Sequence, residues 1–242
     1  MLTSIRAHDQ RLSNFKHYDL LVHVFIVVLL ISNLTAGKIC AIGPFRVSSG
    51  ELLFPITYIF GDIFTEVYGY AGSRRAIWIG FFASALLAIM GVAVVRIPPA
   101  PDWPNQSALA TVLDFQPRLV AASLVAFWSG EFVNSYVMAK MKLATQGRWL
   151  WTRTIGSTVA GQAVDTIVVV TLTYSGMVHW ATLAIVIGSE YLFKVGYEAA
   201  ATPLTYWIVN GLKRAEGVDV YDTGTNFSPF AKERSSGTAA SV

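Results

Sequence analysis

Long apolar runs recur six times along this chain, each bounded by polar or turn-forming residues. A helix of roughly 20 apolar residues is long enough to cross a hydrocarbon core of about 30 Å. The runs therefore predict six membrane-spanning helices, at about Leu20–Ala36, Leu52–Tyr70, Ala76–Ile97, Leu119–Ala139, Ile155–Tyr174 and Ala181–Val209. The first run follows a basic tail, as a signal peptide would, but we interpret it as a retained helix because no convincing cleavage motif follows.

The connections between these runs differ in their positive charge. Most of the 18 lysines and arginines fall in the N-terminal tail, the second and fourth connections and the C-terminal tail. The alternate connections hold only Lys38, Arg46, Arg96 and Arg118. Because Lys and Arg concentrate on the cytoplasmic side of membrane proteins, this asymmetry predicts that both termini are cytoplasmic. We expect a multi-pass protein of the bacterial inner membrane.

Three regions are expected: a cytoplasmic tail (1–18), a six-helix membrane domain (19–213) and a second cytoplasmic tail (214–242). The stretch Ala41–Pro55 alternates weakly and contains Gly and Ser, which is typical of a short hairpin or a re-entrant turn. Four prolines between Arg96 and Ser107 predict an extended external loop. The chain after about Gly217 is polar and rich in small residues, so we expect it to be disordered.

Composition excludes several functional classes. Only 14% of the residues are charged and 54% are hydrophobic, whereas soluble domains have about 25% charged residues. The net charge of +3 is spread over the helix ends and forms no patch that would bind nucleic acid. The single cysteine, Cys40, allows neither an internal disulfide nor a multi-thiolate metal site. The chain lacks a Walker phosphate loop and the common hydrolase motifs, so we expect no enzyme activity, cofactor or metal.

Ionisable and amide side chains nevertheless occur inside the predicted spans. Each such charge costs about 2.5–3.5 kcal/mol on insertion scales, so it needs an explanation. Most of them form pairs three or four residues apart, on one face of a helix. The pairs are Asp62 and Glu66, Glu131 and Asn134, Gln162 and Asp165, and Lys194 and Glu198, with Asn33 alone in the first span. Such faces turned toward one another would enclose a polar binding site among apolar helices.

Structural roles are the alternative for several of these residues. Lys194 and Glu198 could form an ion pair within their helix. Glu66 could pair with Arg74 and Arg75 at the membrane interface. Gln162 could join two helices by hydrogen bonding. Asp62, Glu131 and Asp165 lie several residues inside their spans, which favours direct function. Nearby aromatic residues could pack or could stack on a ligand; they are Tyr58, Phe127, Trp128 and Tyr136.

Several motifs resemble a known family. They are D-x-x-x-E-V-Y-G from Asp62, E-x-x-N-x-Y from Glu131, S-T-x-x-x-Q-x-x-D from Ser157 and Y-E-x-x-A-T-P-L-T-Y from Tyr197. Together they are similar to the queuosine precursor transporters, a six-helix group also called vitamin-uptake-type transporters. The resemblance covers about Leu20 to Lys213. It implies uptake of 7-cyano-7-deazaguanine and its 7-aminomethyl relative, which are salvaged into queuosine in transfer RNA. It also implies a fold akin to the substrate-binding subunits of energy-coupling-factor transporters.

The polar residues within the spans suit such a base. A carboxylate can accept the two adjacent N–H donors of a guanine-like edge, and an amide can serve its carbonyl. The sequence therefore predicts an all-α transporter whose substrate site contains Glu131, Asp62, Asp165, Gln162 and Asn134, with Asn33, Lys194, Tyr58 and Trp128 as further candidates. The expected partners are the base and the lipid bilayer, without direct contact to nucleic acid; a homodimer is an open alternative.

Two other functions also stay open. The chain could be a substrate-binding subunit that needs a separate ATPase module. It could instead be a membrane scaffold or an enzyme acting on lipid, in which case Glu131→Gln would leave base binding unchanged.

Overall fold

The computed structural model describes residues 15–35, 38–42, 45–113, 117–177 and 179–231. Its helices and strands, in chain order, are α1 (Tyr18–Thr35), β1 (Ile39–Ile42), β2 (Phe45–Ser48), α2 (Gly50–Arg96), α3 (Gln106–Leu113), α4 (Pro117–Ala144), α5 (Leu150–Tyr174) and α6 (Trp180–Glu216). The residues of the predicted tails at 1–14 and 232–242, and Ala36 at the end of the first predicted span, lie outside the described residues. All six predicted spans coincide with helices, and α2 contains two of them.

Helix α2 folds back on itself at Gly69. This residue has φ +79° and ψ 172°, a backbone conformation open to glycine and strained for other residues. We call residues 50–68 α2a and residues 70–96 α2b. Near one end of α1, the Tyr18 ring packs on Tyr68 and its hydroxyl donates to the carbonyl of Gly72 at 2.8 Å.

The other end of α1 contacts the start of α2a and the second half of α2b. Ser32 Oγ donates to the carbonyl of Gly50 at 2.9 Å, and Asn33 Nδ2 donates to Ser84 Oγ at 3.2 Å. The two halves of α2 therefore run antiparallel to each other, both beside α1, and the turn between them lies next to Tyr18. The predicted second and third spans are separate, but the connection between them is shorter than the sequence pattern indicated.

Of the two alternatives for Ala41–Pro55, the hairpin is present, but it begins earlier, at Ile39, and the stretch from Gly50 is the start of α2. Strands β1 and β2 pair antiparallel, with Ile39 opposite Ser48 and Ile42 opposite Phe45. We call the end of the bundle that carries these strands the hairpin end. The Pro-rich connection contains turns at residues 101–102 and 104–105, and α3 begins at Gln106. This corrects the prediction of an extended loop up to Ser107.

The distribution of polarity is that of a membrane protein. Large apolar side chains are exposed on the outside of the helices, for example Phe82, Leu86, Ile89, Leu192 and Trp207. Carboxylates and amides are buried inside, among them Asp62, Glu131 and Gln162. By length and composition, three described helices could each cross a membrane: Tyr18–Thr35, Leu52–Arg96 and Leu150–Tyr174. The expected all-α membrane fold is confirmed, with the two short strands as an addition.

The chain after Gly217 departs from its predicted disorder. Residues 217–231, here called the C-terminal strap, pack across the turn between α2a and α2b. The Tyr70 hydroxyl donates to the carbonyl of Phe227 at 2.8 Å, and Trp78 Nε1 donates to the carbonyl of Pro229 at 3.0 Å. Phe230 packs against the rings of Trp78 and Trp128. The prediction of disorder is wrong for this segment because its carbonyls accept hydrogen bonds from the bundle and the rings of Phe227 and Phe230 pack on aromatic rings of the bundle.

Candidate functional site

Buried polar side chains from four helical segments meet in the middle of the bundle. We call this group the inner cluster: Asp62 from α2a, Glu131 and Asn134 from α4, Gln162 from α5 and Glu198 from α6. Each is at most 1% exposed. The sequence pattern predicted that these polar faces would turn toward one another, and the structure brings these residues together.

Glycines let these helices approach closely. A Cβ atom at Gly61 would lie 2.6 Å from Glu131 Oε2, so α2a carries no side chain where the Glu131 carboxylate sits. A Cβ atom at Gly161 would lie 2.8 Å from Cβ of Asn134. Small residues allow membrane helices to pack backbone to backbone, and here they leave room for the longer polar side chains.

Some hydrogen bonds hold the inner cluster in place. Asn134 Nδ2 donates to Asp62 Oδ1 at 3.0 Å, and Ser157 Oγ donates to the same oxygen at 3.3 Å. Thr158 Oγ1 donates to Glu198 Oε1 at 2.6 Å. These bonds link α2a, α4, α5 and α6 and fix the orientation of one oxygen on each of two carboxylates.

Other polar atoms of the cluster have no hydrogen-bond partner among the described residues. They are both oxygens of Glu131, both amide atoms of Gln162, Asp62 Oδ2, Asn134 Oδ1 and Glu198 Oε2. A buried polar atom without a partner costs about 1–3 kcal/mol, so folded proteins keep few of them. Within the described residues, no three His, Cys, Asp or Glu side chains are arranged to hold a metal ion. The cluster thus offers acceptors and an amide to a ligand that supplies hydrogen bonds.

A cavity of about 340 Å³ lies at the hairpin end. Its wall includes Asn33, Phe54, Ser84, Phe127, Asp165 and Lys194. We call it the outer cavity. None of the five inner-cluster residues lines this cavity. The structure therefore divides the predicted site into two parts, with Asn33, Asp165 and Lys194 in the outer one.

An ion pair lies between the two parts. Lys194 Nζ on α6 is 3.0 Å from Asp165 Oδ2 on α5, and both side chains are 3% exposed. The same ammonium lies 5.3 Å from the centre of the Phe54 ring. Lys194 therefore pairs between helices, and the alternative of an ion pair with Glu198 within α6 is wrong. Glu198 instead accepts from Thr158.

The two aromatic candidates occupy different positions. Tyr58 is fully buried, with its hydroxyl 2.6 Å from where a Cβ of Gly130 would lie, and its ring packs on Phe54. It thus stands beside both the outer cavity and Asp165. The Trp128 ring packs against Trp78, Phe132 and Phe230.

A second buried ionic group closes the end of the bundle opposite the hairpin end. Arg153 donates to both carboxylate oxygens of Glu66 at 2.8 Å, and Lys213 Nζ is 2.5 Å from Glu66 Oε1. Lys142 Nζ lies 3.4 Å from the same oxygen and donates to Asp219 of the strap at 2.7 Å. We call these residues the Glu66 cluster. The alternative in which Glu66 pairs with Arg74 and Arg75 is wrong, because the carboxylate faces α4, α5 and α6.

Arg74 instead binds the strap: its Nη1 donates to the carbonyls of Asn226 and Ser228 at 3.0 and 3.2 Å.

The two acidic residues of the strap respond oppositely to their surroundings. Burial opposes the ionisation of Asp219, but hydrogen bonds from Lys142 and Lys213 lower the pKa of this carboxyl below its ordinary value. Burial raises the pKa of Asp222, and its hydrogen bonds from Tyr70 and Thr225 offset only part of this effect. Asp219 is therefore the firmly ionised anchor of the strap.

Sequence reasoning did not assign roles to Ser157, Thr158 and Glu198 in the site. The motif S-T-x-x-x-Q-x-x-D contains both hydroxyl residues, and the one-turn spacing of Thr158 from Gln162 is a usable signal. Glu198 belongs to a predicted polar face and to the motif from Tyr197, but the only partner predicted for it is Lys194, because spacing along one helix says nothing about neighbouring helices.

The chain matches, over residues 48–208, the family described as "Putative vitamin uptake transporter". This match covers most of the membrane domain, and the chain belongs to this family. It is a membrane transport protein and not an enzyme, as the sequence motifs implied.

Two curated relatives carry more specific names. A Bacillus subtilis (strain 168) protein named "Probable queuosine precursor transporter" is 27% identical over 176 residues, which are 72% of this chain and 77% of the relative. The "Queuosine precursor transporter" of Escherichia coli (strain K12) is 24% identical over 176 residues, 70% of this chain and 76% of the relative. No solved structure matches the chain.

Proposed function

We propose that this protein imports queuosine precursors, 7-cyano-7-deazaguanine or 7-aminomethyl-7-deazaguanine, for salvage into transfer RNA. The names of both relatives support the substrate class. The observation that carries the proposal is the inner cluster, where a fully buried Glu131 has no hydrogen-bond partner for either oxygen among the described residues. A neutral base rich in N–H donors is the kind of ligand that such a carboxylate accepts.

The chemistry of the base matches the unpaired atoms. The ring N–H and exocyclic amine of a guanine-like edge are adjacent, so one carboxylate can accept both in charge-assisted hydrogen bonds. Glu131 is the proposed acceptor. The amide of Gln162 would serve the carbonyl of the base and a remaining donor, while Asp62 and Asn134, joined by their hydrogen bond, line the site beside Glu131. An analogue without these donors would leave buried acceptors unpaired, which gives the site its selectivity.

The remaining predicted residues have supporting roles in this proposal. Asn33, Asp165 and Lys194 line the outer cavity, and Tyr58 lies between that cavity and the inner cluster. Trp128 would support α4 through its aromatic neighbours.

Transport would expose the inner cluster alternately to the two sides of the inner membrane. With both termini in the cytoplasm, the hairpin end faces outward and the outer cavity opens toward the periplasm. The Glu66 cluster and the C-terminal strap then close the cytoplasmic end. The positive-inside charge pattern supports this orientation.

A salvage assay tests the proposal. Cells that can neither make nor import queuosine precursors would express this chain and receive nanomolar 7-cyano-7-deazaguanine. Queuosine in transfer RNA is then scored by its mobility shift in a boronate gel. We expect the wild type to restore queuosine and Glu131→Gln to lower salvage by at least about tenfold, since the amide offers the two donors only one acceptor and places an N–H against them.

The matched control is Asp102→Asn, the same acid-to-amide change at an exposed residue between α2 and α3. It should restore queuosine as the wild type does. Wild-type protein that reaches the membrane and restores nothing would contradict the proposed import of these bases. Equal salvage by Glu131→Gln would instead remove Glu131 from the site.

A further inference from the structure

The predicted site consists of two parts that differ in access. The outer cavity has room for a flat bicyclic base, and its wall holds the aromatic rings of Phe54, Phe127 and Tyr174 together with the amide of Asn33. Aromatic faces stack on any planar base at about 1–3 kcal/mol per base in nucleic-acid complexes. Asn33 already binds Ser84 at 3.2 Å, so its amide is held against the cavity wall.

The inner cluster is enclosed. Its five residues are at most 1% exposed and do not line the outer cavity. Ser157, which donates to Asp62, is also fully buried. A ligand that reaches Glu131 from the hairpin end must therefore pass residues that now fill the space between.

The Asp165–Lys194 pair occupies that position. Both residues line the outer cavity, and their charged atoms are 3.0 Å apart across α5 and α6. Asp165 and Tyr58 also lie against α4 next to the inner cluster: a Cβ of Gly130, the residue before Glu131, would lie 2.8 Å from Cβ of Asp165 and 2.6 Å from the Tyr58 hydroxyl. The pair thus forms one layer, with Tyr58, between the cavity and Glu131.

Lys194 has a second carboxylate within the reach of its own helix. Glu198 lies one turn further along α6, on the same face, and its Oε2 has no hydrogen-bond partner among the described residues. An ammonium released from Asp165 therefore has another buried acceptor nearby. Movement of Lys194 to Glu198 is less costly than leaving its charge without a partner, while the Asp165 carboxylate stays on the wall of the outer cavity.

We propose that the outer cavity is a separate first binding station for a planar heteroaromatic base, and that the Asp165–Lys194 pair is the gate between this station and the inner cluster. The identity of the base rests on the proposed function; the gate does not. Transport then has two steps on the outer side: stacking in the cavity, followed by passage when Lys194 leaves Asp165.

Cysteine labelling tests the gate without any substrate. Cys40 is the single native cysteine, so Cys40→Ser gives a cysteine-free background. Ser84→Cys reports on the outer cavity and Ser157→Cys on the inner cluster; Thr158→Cys serves if the latter does not fold. Purified protein is treated with methyl methanethiosulfonate, and the labelled fraction is followed by mass spectrometry.

We expect the inner reporter to react at least about tenfold more slowly than the outer one, and Lys194→Met to accelerate it by about tenfold or more. Lys38→Met, the same Lys-to-Met change at an exposed residue before β1, should leave the inner rate unchanged. Inner and outer reporters that react equally fast in the presence of Lys194 would overturn the gate. So would an inner rate that Lys194→Met does not change.

General loosening of the bundle is detected by a third reporter, Ser135→Cys. Ser135 is fully buried and binds Ser73 at 2.6 Å, away from the outer cavity. Equal acceleration of this reporter by Lys194→Met would assign the effect to loosening and overturn the gate.

Protection by ligand tests the station. Saturating 7-cyano-7-deazaguanine should slow labelling of the Ser84→Cys reporter, and it should do so equally when Glu131→Gln is added. Loss of protection in the Glu131→Gln background would mean one continuous site and would overturn the station. Protection in neither background would count against the station and against this base as substrate, while the labelling of the inner reporter still decides the gate.

Discussion

The carboxylate of Asp222 accepts the backbone N–H of Tyr70 at 3.1 Å through Oδ1 and at 3.0 Å through Oδ2. Tyr70 is the first residue of α2b, directly after the turn at Gly69, so this contact caps the start of a helix from a distant part of the chain. A capping carboxylate satisfies an N–H that has no partner within the helix and complements the helix dipole. The C-terminal strap is therefore part of the fold of the α2 turn.

Removing this cap should destabilise the protein. We expect Asp222→Ala to lower stability by about 1–2 kcal/mol, because helix caps contribute that much and the N–H of Tyr70 is buried. The measurement is the unfolding midpoint of the purified protein in detergent, compared with Asp102→Ala at an exposed site. An unchanged midpoint for Asp222→Ala would show that the strap does not support the turn.

A substitution in the Glu66 cluster should lower the stability of the protein more than loss of the Asp222 cap does. Glu66→Gln leaves Lys142, Arg153 and Lys213 with a single remaining carboxylate, Asp219, and breaking a buried ion pair typically costs about 3–5 kcal/mol. We expect a large fall in folded protein recovered from membranes, larger than that caused by Asp222→Ala. Recovery and thermal stability equal to the wild type would contradict a closing role for this cluster.

Attachment of the strap should depend on pH in the acid range. The pKa of Asp219 is lowered in the folded protein, so its contribution is complete above the ordinary value of 3.8 and is lost as the pH falls through the folded value. The pKa of Asp222 is raised, so protonation of this residue favours the folded form and does not release the strap at pH 5. The strap should therefore stay attached at pH 5 and loosen only below about pH 4.

A nitroxide at Thr223, an exposed strap residue, would report this change by its mobility in electron paramagnetic resonance. The label is attached through Thr223→Cys in the Cys40→Ser background. With Asp219→Asn, the mobility should be higher at neutral pH and less dependent on acid. A wild-type label that is already mobile at neutral pH would contradict the attachment.

The sequence pattern predicted the six long helical segments because each lies in one apolar run of sufficient length, but it missed α3, which has only 8 residues. It also predicted which faces are polar, since Glu131 with Asn134, and Gln162 with Asp165, follow from helical spacing alone. It could not tell which helix each face meets. By spacing along α6, Lys194 could pair with Glu198. The packing of α5 against α6 instead brings Asp165 Oδ2 to 3.0 Å from Lys194 Nζ.

The ends of the bundle were less predictable for the same reason. Glu66 pairs with Arg153 and Lys213, which lie 87 and 147 positions further along the chain. It does not pair with the nearby Arg74 and Arg75. The strap has a polar composition overall, and only the positions of Tyr70, Trp78 and Arg74 in space give its carbonyls and aromatic rings their partners. Long-range contacts of this kind leave no periodic signal in the sequence.

The close approach of α2a to Glu131 gives a test of the inner cluster with its own control. Gly61→Ala puts a methyl group 2.6 Å from Glu131 Oε2, whereas a Cβ at Gly188 on α6 meets nothing within 4 Å. Both are Gly-to-Ala changes within helices, which favour the helix by up to about 1 kcal/mol. We expect Gly61→Ala to weaken base binding by about tenfold or more while Gly188→Ala leaves it unchanged.

Binding of the base is measured by isothermal titration of the purified variants. Equal affinity of both variants and the wild type would mean that the base does not lie beside Glu131 and α2a.

Uptake of radiolabelled 7-cyano-7-deazaguanine into liposomes that contain only this purified protein tests the central claim most directly. The account predicts saturable uptake by the wild type, strongly reduced in Glu131→Gln and unaffected in Asp102→Asn. An imposed pH gradient in the same vesicles shows whether protons drive the process. Wild-type protein that binds the base but never carries it into the vesicles would contradict a self-sufficient transporter and favour a binding subunit that depends on a separate ATPase.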